Sequence, residues 1–375
     1  MTADQLVELA QGTRPIKLHK KTKARVKASR ATLDGFVDEG RVIYGVNTSM
    51  GGFVDHLVPI DKAAELQRNL INAVATNVGD PFPRDVTRAM MLSRIVSLAR
   101  GNSAIRLKNL QVLVAMFNAG VLPRIPEKGS LGTSGDLGPL AAIALVGCGE
   151  WRAVYDGNDL SGKEALAAAG VEPMQLSYKE GLALINGTSG MVGLGALTLA
   201  SAKSLLDSYI EISSLSIEAL AAKTKPFDPR VHQLKPHLGQ RKVAEHLWSA
   251  LDGSKMTQEV HAGKEPIEDA YSIRCTPQVL GPVLDWLEQI EITLENELNS
   301  SNDNPLVIPE ADDVWHNGHF HGQYVAMAMD QLVIAMVVIS NLSDRRTDRF
   351  LTEANSNGLP AFLCKENPGL RLGLM

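Results

Sequence analysis

Apolar residues recur along much of the chain at the three- and four-residue steps of an α-helix. Residues 186–220 are largely apolar at this spacing and contain no proline. About 35 residues of helix would be about 50 Å long, which is too long for a small globule but normal in a helical bundle. Residues 282–298 and 325–350 predict two more long helices, the first with Pro282 in its first turn, where no backbone donor is lost. The pattern therefore predicts a bundle of long helices.

The N-terminal half shows the same period over shorter stretches. Residues 61–118 are helical in pattern, whereas residues 150–178 are polar and interrupted by glycines. The apolar positions that show the helical period are Leu66, Leu70, Ile71 and Val74. Few segments have the alternation of a strand. We therefore predict a mostly α fold, with a smaller mixed N-terminal domain over residues 1–178 and a long-helix bundle over residues 179–375.

Composition narrows the class of protein. The chain has 375 residues and a net charge of −5, which argues against a general role on nucleic acid or on a membrane surface. Residues 1–12 lack the pattern of a signal peptide, and no uninterrupted apolar run is long enough to cross a bilayer. The cysteines have no metal or redox spacing, as expected in a reducing cytoplasm. They are Cys148, Cys275 and Cys364. We expect a soluble cytoplasmic protein with no nucleic-acid and no membrane partner.

Residues 129–140, Gly-Ser-Leu-Gly-Thr-Ser-Gly-Asp-Leu-Gly-Pro-Leu, place four glycines ahead of an apolar run. On composition alone this is a turn before a buried helix that starts at Asp136. A phosphate-binding loop is a weaker alternative, because no Gly-Lys-Ser/Thr follows. A third interpretation is chemical, since the Gly135 nitrogen can reach the Thr133 carbonyl and close a five-membered ring. Loss of water from that ring and from the Ser134 side chain would leave an electron-poor methylene group.

The segment from Thr133 to Ala141 resembles the signature of the aromatic amino acid lyases. These are histidine, phenylalanine and tyrosine ammonia-lyases and the related 2,3-aminomutases. Their usual Ala-Ser-Gly triad forms a 4-methylideneimidazole-5-one electrophile, and threonine in first place resembles bacterial phenylalanine ammonia-lyases and phenylalanine aminomutases of antibiotic pathways. The resemblance implies that Thr133, Ser134 and Gly135 form this electrophile, with no metal and no dissociable cofactor, in a fumarase/aspartase-like fold. A second Thr-Ser-Gly at residues 188–190 has the same chemistry, and only the resemblance selects the first.

Two further motifs assign catalytic residues by resemblance. The motif Tyr-Gly-Val-Asn-Thr that starts at Tyr44 is similar to the family loop whose tyrosine removes a proton from the substrate, although a lone tyrosine is more often a packing residue. A phenol with an ordinary pKa of about 10 needs a lowered pKa to act as a base at neutral pH. The Asn-Gly-Thr-Ser segment that starts at Asn186 is similar to the one whose asparagine hydrogen-bonds the electrophile or the substrate amine. Its local sequence fits a helix N-cap equally well.

The substrate-binding residues also follow from resemblance. The Tyr-Ser-Ile-Arg motif over residues 271–274 is similar to a family motif that assigns Arg274 to the substrate carboxylate and Tyr271 to the pocket. A guanidinium fork suits a carboxylate, although an isolated arginine is more often on the surface or in an ion pair. Val74 falls where family members vary a residue facing the substrate ring, and core packing is the simpler alternative. A valine there predicts phenylalanine rather than histidine or tyrosine.

Residues 316–322, His-Asn-Gly-His-Phe-His-Gly, contain three histidines. A metal-dependent hydrolase is one interpretation, but no carboxylate or cysteine completes a familiar zinc spacing. The segment resembles a family segment whose phenylalanine, here Phe320, lines the site beside the substrate. His319 stands where many members have asparagine, which leaves the second contact to the substrate carboxylate open.

These residues together imply elimination of ammonia from L-phenylalanine to trans-cinnamate. The alternative within the family is a 2,3-aminomutase, which returns the amine to the β-carbon and gives β-phenylalanine. Family sites combine residues from several subunits of a homotetramer, so the expected partners are L-phenylalanine and further copies of the chain. Because family members continue beyond Met375, a catalytically inactive, truncated helical scaffold is the remaining alternative.

Overall fold

The computed structural model describes residues 1–258 and 267–375, and most of them are helical, as the sequence predicts. Contacts between residues divide the chain into two compact units. Unit 1 comprises residues 1–198 and 291–327, and unit 2 comprises residues 199–290 and 328–375. The predicted boundary near Tyr178 falls inside unit 1, because the short helix that follows it packs against earlier helices of the same unit.

The first helices of unit 1 are short to medium in length. They are α1 (Ala3–Gln11), α2 (Lys20–Asp38), α3 (Ala63–Val74), α4 (Arg84–Ala99), α5 (Leu107–Ala119), α6 (Leu137–Gly147), α7 (Gly162–Ala168) and α8 (Glu180–Ile185). Residues 138–147 of α6 are all buried, which matches the apolar run predicted after the glycine-rich segment. Helix α6 packs on α3 and α8, and all three carry residues of the site described below.

The strands of the described part of the chain are short and pair antiparallel. The first two strands are β1 (Val78–Pro81) and β2 (Leu122–Pro123), which belong to different sheets. The others are β3 (Pro126–Lys128), β4 (Arg152–Tyr155), β5 (Asn158–Ser161), β6 (Leu306–Ile308) and β7 (Asp313–Trp315). The sheets are β1–β3, β2–β4–β5 and β6–β7. These strands all belong to unit 1, which therefore has the mixed character predicted for the N-terminal part.

The remaining helices include three long ones. They are α9 (Ser189–Ala219), α10 (Pro229–Gln233), α11 (Leu238–Ala250), α12 (Lys255–Gln258), α13 (Tyr271–Arg274), α14 (Thr276–Leu298) and α15 (Gln323–Leu351). Helices α9, α14 and α15 confirm the three long helices that the apolar pattern predicts. Pro282 lies inside α14 and not in its first turn, so that prediction is wrong. The helix begins earlier, at Thr276, so that Pro277 and not Pro282 stands in its first turn, where no backbone donor is lost.

Helices α9 and α15 are long and apolar enough to cross a membrane, judged by length and composition alone. This criterion averages hydropathy along the helix and allows polar residues, so it does not test the prediction, which concerned uninterrupted apolar runs. Core helices of helical bundles satisfy the same criterion, so this property does not by itself indicate a membrane.

A hydrophobic cluster in unit 1 fixes the backbone on both sides of Tyr44. Its buried members are Leu33, Phe36, Ile43, Val46, Ala104, Val307 and Val314. Ile43 and Val46 flank Tyr44 in sequence, and full burial of such a side chain is worth about 1.5–3 kcal/mol. The cluster thus anchors the loop that carries the predicted catalytic tyrosine.

Candidate active site

Four of the residues predicted from the sequence line one cavity of about 310 Å³ in unit 1. They are Tyr44, Ser134, Asn186 and Phe320. The other lining residues are Met50, Gly51, Leu70, Leu137, Leu182, Ile185 and Asn304. The walls are thus mainly apolar, with a few polar groups at defined places, which is typical of a small-molecule site.

The backbone around Ser134 folds back on itself. Gly132 and Gly135 have φ angles of +73° and +74°, in the left-handed region that glycine adopts most easily. Backbone bridges join Gly132 to Gly135 and Gly135 to Gly187. A Cβ at Gly135 would overlap the carbonyl oxygen of Gly187, so only glycine fits. The backbone of this segment therefore turns tightly between Gly132 and Gly135.

Asp136 stands at the start of α6, as the sequence predicts. It precedes α6, but its side chain makes no hydrogen bond to the start of that helix. Its carboxylate instead accepts hydrogen bonds from the Met191 N–H of α9 at 2.7 Å and from the Ser130 hydroxyl at 2.7 Å. Burial raises the pKa of the Asp136 carboxyl, and these donors oppose the shift. Asp136 therefore links the glycine-rich segment to the first turn of α9.

Side-chain hydrogen bonds hold the loop that carries Tyr44. Gln67 of α3 donates from Nε2 to the Gly45 carbonyl at 2.9 Å and accepts at Oε1 from the Leu182 N–H at 3.0 Å. The Asn47 side chain closes the loop locally, because its Oδ1 accepts from the Ile43 N–H at 2.7 Å. The sequence identified the loop but gave no signal for Gln67, which contacts it from a helix that precedes the glycine-rich segment.

One histidine of the cluster at residues 316–322 reaches Tyr44. The Tyr44 N–H donates to His316 Nε2 at 3.4 Å, and the two rings meet edge to face with centroids 6.4 Å apart. His319 is exposed and does not line the cavity, whereas the next residue, Phe320, does. Within residues 1–258 and 267–375, no three histidine, cysteine, aspartate or glutamate side chains are placed to hold a metal ion.

Asn186 ends α8 as its C-cap, so the N-cap alternative is wrong. Its Nδ2 donates to Asp303 Oδ1 at 3.1 Å and to the Asn304 carbonyl at 3.3 Å. Its own carbonyl accepts from Arg94 at 2.9 Å. Burial lowers the pKa of the Arg94 guanidinium to about 10, although the nearby carboxylates of Asp303 and Asp136 oppose the shift. Buried hydrogen bonds to Asp303, Asn304 and Arg94 thus hold Asn186 in place.

Val74 is the last residue of α3 and is half-buried, outside the residues that line the cavity. Leu70, one turn earlier on the same helix, does line it. The sequence pattern marked both positions as one apolar face but could not tell which of the two reaches the cavity.

Tyr271 and Arg274 lie on α13 in unit 2. Arg274 is mostly buried, pairs with the exposed Glu268 carboxylate at 2.8 Å and stacks on the Tyr271 ring at 4.7 Å. Its Nε is buried and without a partner in the described residues. It also lines a separate cavity of about 410 Å³ in unit 2. The arginine therefore has a free donor, but an intramolecular carboxylate occupies its outer face.

The chain thus has a mostly helical fold in which one cavity brings together four of the predicted site residues. The family model for aromatic amino acid lyases matches residues 1–375, and the chain belongs to this family. Its activity is accordingly that of an ammonia-lyase or of a 2,3-aminomutase.

Individual relatives differ in the substrate that their names state. The chain is 43% identical over 375 residues to a histidine ammonia-lyase of Alkaliphilus oremlandii, covering 100% of this chain and 73% of that protein. It is 57% identical to the phenylalanine aminomutase of Pantoea agglomerans, with a TM-score of 0.96, covering 100% of this chain and 75% of that structure. A histidine ammonia-lyase structure from Trypanosoma cruzi is 37% identical, with a TM-score of 0.88, covering 100% of this chain and 69% of that one.

These relatives overturn the prediction of L-phenylalanine elimination as the activity. Curated relatives that match the whole chain are histidine ammonia-lyases, although Val74 favoured an apolar ring over imidazole. The prediction failed because it rested on one side chain, and that side chain lies outside the lining of the Ser134 cavity. The family likeness supports an aromatic amino acid as the substrate and leaves its ring to experiment.

Proposed function

We propose that this enzyme releases ammonia from an aromatic L-amino acid bound in the cavity of unit 1. The observation that carries the proposal is that Tyr44, Ser134 and Asn186 line the same cavity. The cavity thus brings together a potential base (Tyr44), the source of an electrophile (Ser134) and a polar side chain for an amine (Asn186). Leu70 and Phe320 supply apolar walls for a flat ring.

We further propose that Thr133, Ser134 and Gly135 form 4-methylideneimidazole-5-one. Formation joins the Gly135 nitrogen to the Thr133 carbonyl carbon and expels two waters, one from that carbonyl and one from the Ser134 side chain. The residues fit the group, because the left-handed Gly135 and its close approach to Gly187 bend the backbone as the ring requires. When formed, the group supplies an electrophile for the substrate amine.

The side chains of this chain then bind the substrate and move a proton. Tyr44 would take the proton from the β-carbon, and its loop is fixed by Gln67 and by burial of Ile43 and Val46. Within the homotetramer proposed below, Arg274 of one of the subunits would hold the carboxylate, since it is mostly buried and has an unpaired Nε. For this it must exchange Glu268 for the substrate carboxylate.

A cytoplasmic homotetramer is the proposed state of the protein. Support comes from large apolar side chains that are at least half exposed on α9 and α15, among them Leu215, Val333 and Val337. Such surfaces are typical of subunit interfaces. Cys148, Cys275 and Cys364 are all free thiols, which fits a reducing compartment.

The test measures ammonia release from L-histidine, L-tyrosine and L-phenylalanine, together with the arylacrylate and any β-amino acid formed. We expect one amino acid to be converted at least about tenfold faster than the others, because ring contacts alone discriminate by about that much. Intact mass and the peptide over residues 129–139 should show the loss of two waters.

Ser134→Ala is the matched variant, since it keeps the backbone and removes the hydroxyl that must leave. It should lose turnover and the second dehydration while its thermal unfolding stays unchanged. Ammonia release by Ser134→Ala at the wild-type rate, or an unmodified peptide in an active wild-type protein, would exclude the proposed chemistry.

A further inference from the structure

A fully buried ion pair lies directly behind the cavity. Lys179 Nζ and Asp303 Oδ2 are 2.6 Å apart, and both side chains are completely inaccessible to solvent. Replacing such a pair by apolar residues of similar size is often neutral or stabilising, so it contributes little net stability. Lys179 also has a φ of +69°, in the left-handed region, where a long side chain is strained. Stability alone therefore does not account for this pair.

The pair determines how the amide of Asn186 is oriented. Asp303 Oδ1 accepts from Asn186 Nδ2 at 3.1 Å and from the Asn304 N–H at 2.7 Å, while Oδ2 is occupied by Lys179. The Asn304 carbonyl accepts from the same Nδ2 at 3.3 Å. A carboxylate held by an ammonium ion and a backbone carbonyl carry no hydrogen to donate. The nitrogen of the Asn186 amide must therefore face them.

The oxygen of the amide is left for the cavity. Asn186 lines the cavity, and its Oδ1 accepts no hydrogen bond from residues 1–258 or 267–375. Family resemblance leaves two partners open for this side chain, the electrophile and the substrate amine. An oxygen that faces the cavity can accept from the partner that carries hydrogens, which is the amine.

We infer that Lys179 and Asp303 are positioning residues that hold Asn186 with its oxygen towards the amino group of the substrate. The inference rests on the proposed function, because it concerns the amine of that substrate. Lys179 and Asp303 would act through Asn186, whereas Asn186 itself would contact the amine directly.

Binding in the Ser134→Ala background tests the inference without turnover. The probes are L-histidine against 3-(imidazol-4-yl)propanoate and L-phenylalanine against 3-phenylpropanoate, measured by calorimetry. Each pair differs only in the amino group, so the ratio of the two dissociation constants reports on the acceptor for the amine. For the ring that the cavity accepts, we expect the amino acid to bind about tenfold tighter, as one good hydrogen bond to a charged group allows.

The decisive variant is Lys179→Met with Asp303→Leu, which removes both charges together and leaves neither one buried alone. The amide of Asn186 can then turn its nitrogen towards the cavity, and the binding ratio should fall to about one. Lys179→Met with Asp303→Asn keeps an oxygen for both donors at position 303 and should retain the ratio to within about threefold. A folded Lys179→Met/Asp303→Leu protein with an unchanged ratio overturns the inference.

Two further variants guard against a purely structural effect. Arg88→Met removes a buried guanidinium that bonds the carbonyls of Leu9, Ala10 and Phe117, remote in sequence from Asn186. It should destabilise the fold and leave the binding ratio unchanged. Asn186→Leu should abolish the ratio with the ion pair intact, and a ratio that survives in Asn186→Leu also overturns the inference, even if Lys179→Met/Asp303→Leu does not fold.

Turnover supplies a second readout. With Ser134 present, Lys179→Met/Asp303→Leu should lower kcat/KM by about tenfold or more, but should add no further loss to Asn186→Leu. A structural role would give additive losses in both backgrounds. Failure of the proposed function appears instead as no ammonia release by the unaltered protein, whereas the binding ratio can still be measured.

Discussion

The segment around Ser134 and the loop around Tyr44 line the same cavity but are held in different ways. Backbone contacts fix the first: Gly135 bridges Gly187, and the Asp136 N–H donates to the Gly187 carbonyl at 2.7 Å. Side chains fix the second, chiefly the amide of Gln67 and the buried Ile43 and Val46. A reaction within the backbone needs a fixed approach of its own atoms, whereas a base must meet a substrate that enters and leaves. The two regions should therefore fail in different ways.

Gly135→Ala should give the largest effect. A Cβ there overlaps the Gly187 carbonyl, and alanine disfavours the φ of +74°. We expect no loss of water from the peptide over residues 129–139, no measurable ammonia release, and a fall in the free energy of unfolding of about 1–3 kcal/mol or more. Intact mass, activity and thermal unfolding measure these three consequences.

Gly35→Ala is the matched control, because a Cβ at this helical position meets no atom within 4 Å. It should stabilise α2 by up to about 1 kcal/mol and leave mass and activity unchanged. If Gly135→Ala still lost two waters, the close approach to Gly187 would not be what prepares the backbone for ring closure.

The sequence predicted four of the residues that line the cavity but not the residues that support them. Tyr44, Ser134, Asn186 and Phe320 lie in motifs whose local pattern is readable, and the long helices follow from the apolar period. Lys179 and Asp303 are 124 residues apart, and Leu182 bonds Gln67 across 115 residues. Such pairings depend on how distant segments pack, which no local period reports.

The same limit applies to Asp136 and to the apolar face of α3. Asp136 has the right residue type and place to cap α6, yet its carboxylate serves α9, which the packed fold brings alongside. Val74 and Leu70 share one helix face by period, but only the geometry of α3 against α6 and α8 decides that Leu70 lines the cavity. Local rules thus identify a helix start and an apolar helix face, but the packed fold decides which groups the Asp136 carboxylate and this face contact.

Gln67→Leu should give an intermediate effect, acting on the Tyr44 loop and on the start of α8 but not on the Ser134 segment. It removes two hydrogen bonds of a fully buried amide and leaves the Gly45 carbonyl and the Leu182 N–H without these partners. We expect a loss of about 1–3 kcal/mol in unfolding free energy and a fall in kcat of about tenfold. The two-water loss should remain complete, since the Ser134 segment does not depend on Gln67.

Gln240→Leu is the control for a buried amide. Gln240 is buried in unit 2 and bonds His232 Nδ1 at 3.0 Å. Its replacement should cost similar stability without changing kcat. An incomplete dehydration in Gln67→Leu would contradict the separation of the two regions, because it would make the loop part of the support for ring closure.

His316→Ala should give the smallest effect and show how loosely the edge of the Tyr44 loop is held. The bond from the Tyr44 N–H to His316 is long, at 3.4 Å, and exposed, so its loss should cost only about 0.5 kcal/mol, or a little over twofold in kcat. The dehydrated mass should be unaffected. His321→Ala removes an equally exposed histidine of the same segment, whose Nδ1 accepts from the Gln323 N–H, and should leave kcat unchanged. A tenfold loss of kcat in His316→Ala, but not in His321→Ala, would mean that the imidazole helps to position Tyr44. The Tyr44 loop would then be held as rigidly as the Ser134 segment.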